Sequence, residues 1–297
     1  MQLPIIKHRN VWFLFSSVLI VASFVVLLTS PLKFGIDFTG GSLMELEFKG
    51  ERPQPVQVSE EIAALDLGES VAQTVGDKEI LLRLKTLDEP SHQKVLSTLN
   101  EKFGGAIEHR FESVGPTVGD ELRKKAFWSI SLVLIGIALY VAYAFRKVSR
   151  PVASWKYGLI TLVVGLFHDV LLPVAAFALL GRFALAEVNS SFVAAILTVL
   201  GFSVHDTIVV FDRIRENLQK SGGAFEEIVE RSVNETLSRS IITSLTVLFP
   251  LVAIYFWGGE SLNHFAFTLI IGILAGVYSS IFLASPLLVI MQKKSSR

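Results

Sequence analysis

The sequence predicts an α-helical polytopic membrane protein with six transmembrane helices and one ferredoxin-like α+β domain between the first and second. Three observations lead there. Six apolar runs approach the roughly 20 residues needed to cross a bilayer. A polar interval at 31–122 interrupts the hydropathy and alternates strand and helix patterns. Asp206 lies inside the fourth run, at a depth where a carboxylate costs on the order of 3 kcal/mol. A chain keeps such an acid when it is paired, hydrated through a cavity, or used to move protons.

Composition agrees with this class. The chain is 51% hydrophobic and 18% charged, with a mean hydropathy of +0.55. Its formal net charge is +0, which suggests neither nucleic acid nor an acidic ligand. Cysteine is absent, which excludes disulfides and thiol chemistry and removes the commonest soft metal ligands.

The six runs are 11–29, 126–145, 157–180, 191–211, 241–257 and 265–291. The first follows Lys7-His8-Arg9 but lacks a small-x-small cleavage site, so it reads as a retained anchor. Basic residues set the orientation. Lys7 and Arg9 precede the first run; Arg146, Lys147, Arg150 and Lys156 separate the second from the third. Arg213, Arg215, Lys220 and Arg231 separate the fourth from the fifth, and Lys293, Lys294 and Arg297 close the chain. Both termini are therefore expected inside and the polar interval outside. Arg123-Lys124-Lys125 on the outer side run against this bias, which a long preceding domain weakens.

The expected divisions are 1–30, inner terminus and first helix; 31–122, outer domain; and 123–297, a five-helix membrane domain. The last includes an inner helix-turn-helix at about 212–239, with Gly222-Gly223 as its turn and Asp212 and Arg213 as a surface pair. The outer domain opens on Phe34-Gly35-Ile36-Asp37-Phe38-Thr39-Gly40-Gly41. A strand is expected over 42–48, a helix over 56–67 with Ser59 as its cap, strands over 70–75 and 79–86, a helix over 90–103 and a strand over 106–114. That βαββαβ order is the ferredoxin-like arrangement.

Helical periodicity then sorts the buried polar residues. Ser203, Asp206, Thr207, Val210 and Arg213 share a face of the fourth run. With Arg213 at the inner surface, Asp206 lies about 10 Å into the membrane, at about 1.5 Å per residue. Arg239, Thr243 and Thr246 share a face of the fifth run. Thr161, Gly165 and Asp169 line up on the third, with His168 beside them, and Thr268, Gly272, Gly276 and Ser280 form a small-residue stripe on the sixth. Packing those faces together around Asp206 and Asp169 suggests a proton path. Burial favours the protonated carboxyl and a nearby arginine the charged one, so an acid between them can load on one side and release on the other. The plainer alternatives are a static Asp206 paired with Arg239 or a helix end, a packed His168, and a snorkelling Arg239. Catalytic signatures are missing: the sequence has no His-Glu-x-x-His, Gly-x-Ser-x-Gly, Walker or Gly-x-Gly-x-x-Gly motif, so an ATP-driven or hydrolytic role has no support, and the chain is expected not to be an enzyme.

The stretches 34–41, 111–119, 203–217, 236–244 and 265–286 closely resemble the SecF family, the smaller partner of SecD in bacterial protein export. The likeness runs over essentially the whole chain. It implies kinship with the resistance-nodulation-division exporters, a periplasmic outer domain and residence in the inner membrane. It implies SecD and the SecYEG channel as partners, with YajC and YidC as further ones, and a translocating pre-protein as cargo. It also implies use of the proton-motive force, with protons as coupling ion and neither cofactor nor metal. The family's membrane carboxylate falls on Asp206 and its functional arginine on Arg239. His205 stands where the family usually has asparagine, adding a titratable group that can share the proton of Asp206. Some family members are fused to SecD, whereas this chain, with its own basic flank, reads as a separate subunit. A proton-coupled small-molecule exporter and a passive assembly scaffold remain as alternatives; exporters usually carry two related halves.

Overall fold

A computed structural model describes residues 3–146, 152–183, 186–220 and 222–295 of the chain, without the side chains of residues 165–166, 260–261 and 294–295. Lys147, Arg150 and Arg297, three of the orientation residues, lie outside the described residues, as does the side chain of Lys294. The chain divides into two compact units, Phe34–Phe127 and Met1–Lys33 with Trp128–Arg297.

The first unit contains α2 (Ile36–Thr39), β1 (Gly41–Phe48), α3 (Pro55–Ala63), β2 (Val71–Val75), β3 (Glu79–Leu84), α4 (Glu89–Phe103) and β4 (Ala106–Val114). The strands form one antiparallel sheet in the order β2-β3-β1-β4. Alternation along β1 and β3 turns Met44, Leu46, Phe48, Ile80, Leu82 and Leu84 into one core with Val58 and Ile62 of α3 and Val95 and Leu99 of α4. Two start signals differ from expectation. α3 begins at Pro55 behind a reciprocal Gln54–Gln57 cap, leaving Ser59 inside the helix. α4 is capped by Asp88, whose carboxylate accepts from the Ser91 N–H at 3.1 Å. Gly40 and Gly41 adopt φ of +71° and +125°. A Cβ on Gly41 would lie 2.8 Å from Leu84 O, so the pair both turns the chain and lets it approach β3.

Among the described residues, six helices are long and apolar enough to cross a membrane: Arg9–Thr29, Pro116–Ala144, Ser154–Phe183, Ser190–Lys220, Phe225–Trp257 and Leu262–Lys293. The first is α1 and the second is α5. The third joins α6 (Ser154–Val164) and α7 (Leu171–Phe183) through a π-helical turn at Gly165–Val170. α8 is Ser190–Lys220 and α9 is Phe225–Trp257. The sixth joins α10 (Glu260–Ser279) and α11 (Ser285–Ser295) through a second π-helical turn, Ser280–Ala284.

The expected helix-turn-helix at 212–239 is no separate element, because its arms continue α8 and α9. Neither glycine nor proline interrupts 211–220. Ion pairs spaced three or four residues apart, Asp212–Arg215 at 2.5 Å and Glu216–Lys220 at 2.6 Å, carry the helix onward. Asp212 therefore does not pair with Arg213, which reaches Glu216 and Glu235 instead. At the same end of the bundle, the Glu230 carboxylate accepts the N–H groups of Ile5 and Ile6 at 2.6 and 2.9 Å. Arg9 and Lys293 both reach Glu226. These bonds tie the entry to α1 onto α9.

Candidate functional site

The polar core lies among the third span, α8, α9 and α10. Its closest contact is made by glycine. A Cβ on Gly272 would lie 2.2 Å from Val199 Cγ2, and one on Gly276 would lie 2.8 Å from Ser203 Cβ. Without those side chains, α10 rests directly on α8, and Ser280 just beyond it meets Ser203 and Thr207.

Asp169, in the first π-helical turn, is fully buried. Its Oδ1 lies 2.9 Å from His168 Nδ1, and its Oδ2 accepts from Ser279 Oγ at 2.9 Å and from Ser203 Oγ. Beyond it, the Thr207 and Ser280 hydroxyls lie 2.7 Å apart, and each donates to or sits beside the carbonyl of Ser203, at 3.1 and 3.2 Å. A carboxylate with this many donors is solvated by protein in place of water. The His168 ring stacks on Tyr278, with centroids 5.5 Å apart, and its Nε2 is buried without a hydrogen-bond partner. Tyr278 OH accepts from Ser16 Oγ at 3.2 Å and donates to Trp12 O at 3.1 Å, which links α1 to the cluster.

Asp206 is 7% exposed and differently placed. Ser240 of α9 stands beside it, yet Asp206 Oδ2 and Ser240 Oγ are both buried without a hydrogen-bond partner. The carboxyl borders a small cavity lined by Phe202, Ser203, His205, Asp206, Thr243, Ser244, Ile273 and Val277. The space for the centre of a water-sized molecule is about 10 Å³, close to the minimum that holds one water. Ser203 belongs to both places, bonded to Asp169 and lining the Asp206 cavity.

The other predicted residues fall as follows. Ser203, Asp206, Thr207 and Val210 are buried together, and Thr161 is buried with its hydroxyl on Tyr157 O at 3.0 Å. His205 is exposed on α8 but lines the cavity. The face expected for α9 is rotated. Arg239, Thr243 and Thr246 are exposed, while Ser240 and Ser244 are buried. Among the described residues no ion pair joins Arg239 to Asp206. Thr243 still borders the cavity, and Thr246 donates only to Thr243 O of its own helix at 2.6 Å. Sequence reasoning missed Ser240, Ser279 and Tyr278; their signal was a hydroxyl within an apolar run. Gly35 and Asp37 lie in the other unit, beside or within α2.

Six apolar helices with two acids buried among hydroxyls define a multi-pass membrane protein with a polar core. The family described as protein export membrane protein SecD/SecF, C-terminal, matches residues 94–294, and the SecD/SecF GG motif matches 25–51, spanning Gly40-Gly41. The chain is 42% identical to protein translocase subunit SecF of Thermobaculum terrenum, covering 99% of this chain and 95% of that one. It is 40% identical to the SecF subunit of Desulfurispirillum indicum, covering 97% and 91%. The crystal structure of SecDF from Thermus thermophilus, a translocon-associated membrane protein, is similar at a TM-score of 0.83 and 30% identity. That match covers 99% of this chain, which spans 39% of the SecDF chain. SecDF in its super-membrane-facing form is similar at a TM-score of 0.69. The chain belongs to the SecF line of the SecD/SecF family of protein export membrane proteins.

Proposed function

We propose that this chain uses the proton-motive force to assist pre-protein translocation through the SecYEG channel across the bacterial inner membrane. It acts with SecD, and with YajC and YidC as further partners. In this reading both termini are cytoplasmic and the βαββαβ unit is a ferredoxin-like periplasmic domain. Protons are the coupling ion, no cofactor is used, and the subunit is not an enzyme.

The observation that carries the reading is the pairing of unlike acids. Asp206 borders a cavity about one water in size and leaves Oδ2 without a partner, while Asp169 nearby is held by three donors. An acid that must take and give a proton needs access to water and few fixed bonds to its charged form. Ser203, shared by both sites, joins them by a hydroxyl that can accept and donate. One charge crossing 100 mV carries about 2.3 kcal/mol, enough for a few protons to drive a domain movement. Arg239 is exposed and outside the cavity, one residue before the buried Ser240. Similarity to translocase SecF subunits supplies the cargo and channel.

The test uses sealed vesicles holding this chain, SecD and the channel. Export of a stalled pre-protein is followed after ATP removal, with and without a proton gradient. Completion in the wild type should require the gradient, and Asp206→Asn should abolish it. Equal completion in all four conditions would leave a scaffold.

A further inference from the structure

A second cluster of ligating side chains lies far in sequence from the buried acids, on the sheet face turned away from the helices. Glu47 of β1 and Glu79 of β3 are direct partners in the antiparallel register. Like charges directly opposed across two strands are destabilising. The sequence nevertheless places them together, with Glu45 two residues before on the same face of β1. The nearest arginine on β4 does not relieve them, since Arg110 is engaged by Glu112 through two bonds of 2.9 and 2.6 Å.

The third member arrives by a break in the ladder. Glu45 pairs with Arg110 and Leu46 with Glu108, so His109 is the extra residue of a β-bulge. A bulge re-aims a side chain that regular pairing would place elsewhere. Here it sets His109 Nε2 2.8 Å from Glu47 Oε2. One ligand atom each from Glu47, Glu79 and His109 all lie within 4.8 Å of one another. These neighbouring glutamates hold the His109 imidazole above its ordinary range, chiefly through the Glu47 hydrogen bond.

We propose that Glu47, Glu79 and His109 bind a divalent transition-metal ion, with zinc the best match to this donor set. One imidazole and two carboxylates suit a borderline cation, and the partly exposed position leaves a further coordination place for water. The ion would displace the His109 proton and neutralise the opposed glutamates, staple β1, β3 and β4 together, and stiffen the sheet. This does not rest on proton coupling by the buried acids.

The full chain in detergent, after chelator treatment, is titrated with Zn²⁺ against a chromophoric chelator, and with Co²⁺ to read the ligand-field absorption. The wild type should bind one ion per chain at this cluster, more tightly at pH 7.5 than at pH 6 (about one unit above and about half a unit below the usual histidine value), because the proton competes. His109→Gln and Glu79→Gln should each weaken binding by more than about tenfold. Glu51→Gln, outside the cluster, should not. Melting curves without metal check that the variants fold; Glu79→Gln should melt no lower than wild type, since it removes a repulsion. Binding unchanged in His109→Gln, or no one-to-one Zn²⁺ uptake by the wild type, would overturn the proposal.

Discussion

Asp169 and Asp206 are both carboxylates buried among the same helices, yet one is saturated with donors and the other is not. Asp169 accepts from Ser203 and Ser279 and contacts His168. Asp206 leaves Oδ2 without a partner beside a cavity. The difference teaches that burial alone does not define a working acid. Fixed donors make a carboxylate structural; an oxygen without a fixed donor, beside a cavity, leaves it free to exchange.

The largest expected effect breaks the saturated site. Asp169→Ala strands His168, Ser203 and Ser279, and should cost about 3–5 kcal/mol of stability, as breaking a buried pair does. Denaturant unfolding in detergent measures it. Asp206→Asn should change stability by less than about 1 kcal/mol, because no strong bond is lost. Similar losses in the two variants would erase the contrast. Next, Gly276→Val drives a side chain into Ser203 and should cost about 1–3 kcal/mol. It should also weaken the Asp169 contacts, visible as altered His168 ring resonances. Smaller still, Ser279→Ala should cost about 1 kcal/mol by removing one donor from Asp169, whereas Ser240→Ala should be close to neutral.

The smallest effect lies outside the bundle and shows the same logic in water. His109 is raised above its ordinary value of 6.5, first by its hydrogen bond to Glu47. A raised folded value means the stabilisation is fully present below pH 6.5 and is lost as pH rises through the folded value. In metal-free buffer the sheet unit should melt lower as pH climbs from 6.5 upward, and His109→Gln should flatten that slope. Calorimetry over this range is the check.

Much of this was legible in the sequence. Long apolar runs fixed the spans because a bilayer accepts little else. The fourth run yielded the buried face of Ser203, Asp206 and Thr207, since a regular helix keeps its period. The fifth run misled, because Ser240, Thr243, Ser244 and Thr246 put hydroxyls on two faces and Arg239 pulled the choice to the wrong one. Of the groups on Asp169, His168 and Ser203 were legible, and Ser279 was not, for another reason. The two π-helical turns change the angular step, so His168 and Asp169 both face inward, as do Ser279 and Ser280. No count of 3.6 residues per turn finds such neighbours. Charge suggests a separate motif where α8 ends and α9 begins, whereas the paired charges simply extend the helices.

The central claim is that Asp206 is the acid that exchanges protons. Infrared difference spectra of the full chain in lipid, stepped across pH, read the carboxylic-acid stretch directly. The wild type should show a carboxyl band that titrates, absent in Asp206→Asn and retained in Ser279→Ala. A titrating band that persists in Asp206→Asn would contradict the assignment and move the exchanging acid elsewhere.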